Sequence, residues 1–129
     1  MENDDLEEEV VSFIFENIES VPHLEALLLI WQSGASPWTP EQLASRLYIN
    51  EHRGKSILDD LRRRGYLMQE PAESGPYTFA TDSELHRRLM PRIDQAYRKH
   101  LVRITRLIHS KGSASVREFA RAFQIKKDQ

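Results

Sequence analysis

A mainly α fold with one small β-hairpin is what this sequence predicts, and three observations carry the prediction. Apolar residues recur at helical spacing in several blocks, a cap residue precedes most of those blocks, and one pair of β-rich runs flanks a Pro/Gly turn. The chain has 129 residues, 40% of them apolar and 29% charged, and no cysteine. A chain of that length buries roughly two-thirds of the surface its unfolded form exposes, enough for one core without disulfides. The lack of Cys excludes thiol catalysis, disulfide scaffolds and thiolate zinc sites. The longest apolar run, Leu24 to Trp31, is interrupted by Glu25 and falls far short of the ~20 residues a membrane helix needs. Because the amino terminus, Met1 to Glu9, is acidic where a secretory signal is basic, neither export nor membrane insertion is expected, and a cytoplasmic location follows.

Each element has its own local signal. Val10, Val11, Phe13, Ile14 and Ile18 predict an amphipathic helix reaching about Asn17. Ser20 is a cap for the next helix, Pro22 fits its first turn, and Leu24, Leu27, Leu28 and Trp31 line one face before Gly34. Thr39-Pro40-Glu41-Gln42 reads as a capping box with Pro at the first helical position, and Leu43, Ala44 and Leu47 continue it. After Tyr48 and Ile49, Asn50 caps a helix with Ile57, Leu58 and Leu61 on its inner face, and Gly65 closes it. Tyr66 to Gln69 and Tyr77 to Ala80 then flank the turn Glu70-Pro-Ala-Glu-Ser-Gly-Pro76, which predicts a hairpin. Thr81-x-x-Glu84 opens a long helix carrying the stripe Leu85, Leu89, Ile93, Tyr97, Leu101, Ile104 and Ile108, with a kink or short break expected near Met90 because Pro91 lies inside it. A last capping box, Ser115-x-x-Glu118, starts a final short helix carrying Val116, Phe119 and Phe123.

Helix, helix, tight turn, helix, hairpin is the order of a winged helix-turn-helix, here with a long C-terminal helix and a final short helix. In that architecture one helix of the turn braces a second, whose outer side is free to enter a DNA groove. The spacing Leu43-Ala-x-x-Leu47-Tyr-Ile-Asn50, then Ile57-Leu-x-x-Leu61-x-x-x-Gly65-Tyr-Leu67, pins two helices in that way. From about Val21 to Thr81 the chain resembles winged-helix transcriptional regulators of the multiple-antibiotic-resistance-regulator (MarR) type. A broader resemblance rests on Phe13-Ile-x-x-x-Ile18-x-Ser-Val-x-x-Leu24-Glu-x-Leu-Leu-Leu29, on the same core, and on Leu107-Ile-His-Ser-Lys111 with Val116-Arg-Glu-Phe-Ala-x-Ala-Phe123. These look like a group of small, mostly uncharacterised bacterial winged helix-turn-helix proteins. The resemblance implies a bacterial cytoplasm and dimerisation through elements flanking the wing, and it lends no catalytic residue. Three segments are expected, namely an acidic flexible arm over residues 1–9, an N-terminal helix plus winged core over 10–81, and a C-terminal helical dimerisation or interaction segment over 82–129.

Charge is divided along the chain. Residues 1–20 hold eight acids and no base, leaving 18 bases against 12 acids in the remainder, and residues 98–127 hold nine bases and one acid, Glu118. A basic end can face a polyanion, although Lys and Arg also simply solvate helices. By analogy with winged-helix regulators the reading helix is Asn50 to Arg64. With Gly54, Ile57, Leu58 and Leu61 inward, 100° steps place His52, Ser56, Asp59 and Arg63 opposite and Arg53 and Lys55 on the flanks. The DNA-binding candidates are therefore His52, Arg53, Lys55, Ser56 and Arg63, with Arg53 suited to guanine and Lys55 and Arg63 to phosphate. Arg62-Arg63-Arg64 and the set Arg87, Arg88 and Arg92 add positive charge. Two features oppose DNA. Asp59 lies on the outward face, with i,i+4 pairs Asp59–Arg63 and Asp60–Arg64 expected, and the wing carries two acids and no base.

No enzyme is expected. His23, His52, His86, His100 and His109 include no pair at metal-ligand spacing, Asp59 and Asp60 point about 100° apart, and no Gly-rich phosphate loop or nucleophile elbow occurs. No metal and no cofactor is therefore assigned, and surface or capping roles suit the histidines. Trp31, Trp38, Tyr48, Tyr66, Tyr77, Phe79 and Tyr97 are read as core before ligand cavity. The stripe from Leu85 to Ile108 must fold back on Val10 to Ile18 or pair with a second subunit. The expected function is a homodimeric winged-helix transcriptional regulator on double-stranded DNA, with any small-molecule effector unknown. The alternative is a protein-interaction adaptor whose winged scaffold has lost DNA binding.

Overall fold

The computed structural model describes residues 7–80 and 83–110. In chain order these form α1 (Glu8–Asn17), α2 (Val21–Gln32), α3 (Pro40–Leu47), α4 (Glu51–Arg63), β1 (Leu67–Gln69), β2 (Tyr77–Phe79) and α5 (Glu84–Lys99). Residues 101–110 are helical as well. The architecture is mainly helical with one antiparallel hairpin, registered Leu67 to Phe79, Met68 to Thr78 and Gln69 to Tyr77. No helix among the described residues is long and apolar enough to cross a membrane.

The helix starts follow from short-range chemistry. The Ser20 hydroxyl accepts the His23 N–H at 3.3 Å, and Asn50 Oδ1 accepts the Arg53 N–H at 2.7 Å. Thr39 and Gln42 make both bonds of the capping box, at 3.2 and 3.0 Å. The end of α4 is equally well determined. Gly65, at φ +89°, bonds its N–H to Arg62 O at 2.9 Å, and Tyr66 bonds its N–H to Leu61 O at 3.0 Å. This six-to-one and five-to-two pair is the Schellman arrangement that only a left-handed residue permits, and it delivers the chain into β1.

One core unites these elements. Ile14, Ile18, Leu24, Leu27, Ile30, Leu43, Ile57, Leu58, Leu61 and Ile93 are fully buried within it. Phe13 of α1 meets Tyr66 with ring centroids 5.5 Å apart, and Tyr66 meets His86 of α5 edge-on at 4.5 Å. That aromatic chain ties α1 and α5 to the foot of the hairpin. On the far side, Trp38 pairs with Tyr77 through two backbone bonds of 2.8 Å each, flanking β2 just before α3 begins. The sequence signals for the hairpin concern only its own two runs, so this third contact is new.

Helices α3 and α4 approach most closely at Gly54. A Cβ built there would stand 2.9 Å from the carbonyl oxygen of Pro40 and 3.5 Å from Ala44 Cβ. Glycine is what lets α4 lie this near its brace. Alanine gains about 1 kcal/mol of helix propensity over glycine, but the clash with a backbone atom costs about 1–3 kcal/mol, so Gly54→Ala is expected to lose on the order of 1 kcal/mol in a denaturant titration. A stabilised Gly54→Ala would mean that the two backbones can part freely.

Two expectations for the second half are corrected. Helix α5 starts at Glu84 with Ser83 as its cap, accepting the His86 N–H at 3.2 Å, and Thr81 lies outside the described residues. The bond from Ala80 N to Tyr66 O at 2.9 Å keeps the chain tied to the hairpin to that point. The helix then runs through Pro91 without a break, since buried Leu89, Met90, Ile93 and Ala96 anchor both sides of the proline. The break falls at His100, at φ −127° and ψ 46°, and turns Leu101 and Val102 outward while Ile104 and Ile108 stay in the core. Most of the predicted apolar stripe therefore folds back within the same chain. The Ser115-x-x-Glu118 helix lies outside the described residues. At the other end, Glu8 and Glu9 already belong to α1.

Candidate nucleic-acid interface

Helix α4 is braced by α3 and α2 on one side and by β1 beyond its end. Gly54, Ile57, Leu58 and Leu61 face inward as the 100° steps predict, while His52, Arg53, Lys55, Ser56 and Arg63 are exposed. The structure brings four of these five together. His52, Lys55, Ser56 and Arg63 line one shallow depression with Asp59, and Arg53 stands on the flank toward the helix start. The helix and its C-cap carry five bases and three acids, so its charge is positive but heavily interleaved.

Asp59 is where the geometry departs from the simple outward face. It is half-buried because the Tyr77 hydroxyl of β2 donates to its Oδ1 at 2.6 Å, while Lys55 Nζ donates to Oδ2 at 3.1 Å. Arg62 Nε lies 3.9 Å from Oδ1. Burial alone would raise the Asp59 carboxyl, but the hydrogen bonds from Tyr77 and Lys55 and the charges of Lys55 and Arg62 outweigh it and hold it below the ordinary aspartate value of 3.8. The carboxylate is thus charged at neutral pH. A folded value below the unfolded one adds stability above the ordinary aspartate range, and that stability is lost as pH falls through the folded value.

The expected i,i+4 pairs are replaced by others. Asp59 takes Lys55 and Arg62, and Asp60 takes Arg63 through Oδ1 and His23 through Oδ2, the latter at 3.0 Å. An arginine three residues on reaches back within one turn, and the remaining carboxylate oxygen is claimed from another helix. Consequently Lys55 and Arg63 are partly neutralised, whereas no described carboxylate lies within ion-pair distance of Arg53 or Arg64. The arginines of α5 are also engaged. Arg88 pairs with Glu9 at 3.0 Å, Arg92 pairs with Glu7 and Glu9, and Arg87 pairs with Glu84. Arg88 and Arg92 clasp α1 to α5 and Arg87 pairs within α5, so much of this charge is balanced within the chain.

The hairpin turn is short and acidic. Glu70 and Glu73 are exposed, Gln69 Nε2 donates to Gly75 O at 2.9 Å, and Gln69 Oε1 accepts the Glu73 N–H at 3.1 Å. Tyr48 is the residue sequence reasoning misplaced. The sequence groups it with core aromatics, of which Trp38, Tyr66, Tyr77 and Phe79 are buried and Trp31 and Tyr97 partly so, yet Tyr48 is 95% exposed. It holds the left-handed turn between α3 and α4 at φ 58° and ψ 44°, where a helical pattern ends and gives no sign of side-chain direction. Its ring borders a groove formed with Leu29, Arg46, Asp94 and Tyr97. Lys111, Arg117, Arg121, Lys126 and Lys127 of the basic end lie outside the described residues. No family model, curated protein or solved structure matches this chain.

Proposed function

We propose that this chain is a winged-helix DNA-binding protein of the MarR-like kind, a transcriptional regulator that occupies duplex DNA as a homodimer in a bacterial cytoplasm. The observation that supports this best is the exposed side of α4, which presents His52, Arg53, Lys55 and Ser56 on a helix braced from behind by α2 and α3. A helix so mounted fits the width of a major groove, and Arg53, with no described carboxylate at ion-pair distance, can donate two bonds to guanine. The Trp38–Tyr77 bridge adds the partial third strand that seats a wing beside the helix pair. Exposed Leu85, Leu101 and Val102 on α5 and residues 101–110 supply apolar surface for a second subunit. The test is fluorescence polarisation against genomic fragments across a salt series. Binding should weaken as salt rises, with a logarithmic slope of roughly −0.9 per phosphate engaged. Binding no tighter than that of a generic basic protein at low salt would overturn the reading.

A second reading, the protein-interaction adaptor, is favoured by the acids built into the same surface. Asp59 is tethered by Tyr77, and Glu70 and Glu73 project from the hairpin turn. A surface of alternating sign suits a protein partner better than a uniformly charged backbone.

A further inference from the structure

Glu19, His23 and Asp60 place three ligand-type atoms within 4.8 Å of one another, at the junction between the start of α2 and the last turn of α4. We propose that these three side chains form a binding site for a divalent transition-metal cation of the zinc class. His23 is only 6% exposed and is the one buried polar or charged residue among the described residues. Its Nε2 stands 3.0 Å from Asp60 Oδ2 and 3.9 Å from Glu19 Oε1, and its Nδ1 lies 2.6 Å from the Ser20 hydroxyl.

The imidazole has two ways of satisfying these neighbours. With the proton on Nε2 it donates to Asp60, and the cluster is closed by hydrogen bonds. With the proton on Nδ1 it donates to Ser20 Oγ, whose second lone pair already accepts the His23 N–H, and Nε2 then offers a lone pair toward two carboxylates. A cation selects the second arrangement. Ser20 becomes the outer partner that orients the ring, the role a carboxylate, backbone carbonyl or water fills behind most metal-bound histidines.

The spacing fits. Tetrahedral ligands about 2.0–2.1 Å from a zinc ion sit about 3.3 Å apart, between the two separations from Nε2. Only Glu19 has far to move, and its side chain is 61% exposed and free to swing. Its exposure also leaves a fourth position open to water. One imidazole and two carboxylates suit zinc-class ions, whereas magnesium and calcium favour all-oxygen sets and copper(I) favours the thiolates this chain lacks. No two histidines stand at ligand spacing in the sequence. Here the sequence offers Glu19 and His23 four apart, and the fold brings Asp60 from 37 residues away.

Occupancy would reach the outward face of α4. Asp60 divides its charge between His23 and Arg63, and a cation that draws on that charge loosens the hold on Arg63. The released guanidinium is one of the phosphate candidates, so the cation should tighten DNA binding. This second step rests on the DNA-binding reading.

Titration calorimetry of the full chain with zinc chloride, in the absence of DNA, tests the site itself. One saturable site is expected, weakened at least roughly tenfold by Glu19→Gln and lost in His23→Gln, with magnesium chloride giving no uptake. Glu19 is exposed, so its variant keeps the fold even where the buried His23 change does not, and circular dichroism checks both. No saturable uptake, or uptake unchanged in Glu19→Gln, overturns the site. Polarisation with DNA, with and without zinc, then tests the coupling. Tighter binding in the wild type but not in Glu19→Gln supports it. Unchanged affinity with zinc bound overturns the coupling alone, and absence of DNA binding overturns the functional reading while calorimetry still decides the site.

Discussion

Replacing Leu61 with Ala is expected to lower the unfolding free energy by about 2–5 kcal/mol, the range for emptying a fully buried leucine. Leu61 has no exposed surface, and it lies in the last turn of α4, two residues before its end. Its carbonyl also accepts the Tyr66 N–H that closes the helix, so the residue joins the core-facing side of α4 to the turn into β1. Truncation removes side-chain contacts with the core and leaves a cavity that the surrounding helices cannot fully collapse. Against a total stability of about 5–15 kcal/mol for a domain, that is a large fraction. Urea unfolding followed by circular dichroism should show a lower midpoint with an unchanged slope. A loss under about 1 kcal/mol would mean that α4 is held mainly by its polar face, and the account of how the helix is presented would fail.

The parts of this fold that are legible in the sequence are those with short-range causes. Ser20, Thr39 and Asn50 each accept a backbone N–H three residues on, and Gly65 supplies the left-handed turn, so the starts of α2, α3 and α4 and the end of α4 can be placed from neighbouring residues alone. The inward face of α4 is legible because burial follows the helical period. Where two local signals compete, the outcome depends on tertiary ties. Thr81 heads the capping-box pattern, yet the helix begins after Ser83, beyond the Ala80–Tyr66 bond that still belongs to the hairpin. Pro91 suggests a kink or short break, yet packed residues on either side keep α5 continuous across it and the helix is interrupted at His100.

The candidate site divides along the same line. Which side chains of α4 point outward is a matter of angle, and His52, Arg53, Lys55, Ser56 and Arg63 all do. Which of them are electrostatically free is a matter of partners contributed by distant elements. Tyr77 reaches Asp59 from β2, and His23 reaches Asp60 from α2. Neither partner is signalled near residue 59 or 60, so the helix reads as more basic in sequence than it is in space. Glu7 acts likewise on Arg92 across 85 positions, and Glu9 on Arg88 across 79.

Arg53 and Asp59 consequently offer opposite perturbations of one surface. Arg53→Ala is expected to weaken specific DNA binding by about 1–3 kcal/mol and to relax preference at a single base position. Because no described carboxylate holds Arg53 in the free protein, folding stability should stay within about 0.5 kcal/mol, and the loss belongs to the complex. Asp59→Asn acts in the other direction. It removes the acceptor charge that Lys55 and Arg62 now satisfy, while the amide oxygen can still accept the Tyr77 hydroxyl. Affinity should rise, and the logarithmic salt slope should steepen by roughly 0.9 for each released base that finds a phosphate. The change should be general across sequences, because phosphate carries no base identity. The adaptor reading makes the contrary forecast. With a protein partner on this face, neither substitution alters DNA affinity, and Asp59→Asn weakens the partner complex by deleting a fixed negative charge. Polarisation curves for both variants at two salt concentrations separate these cases, since opposite shifts require α4 to meet a polyanion and two null shifts require that it does not.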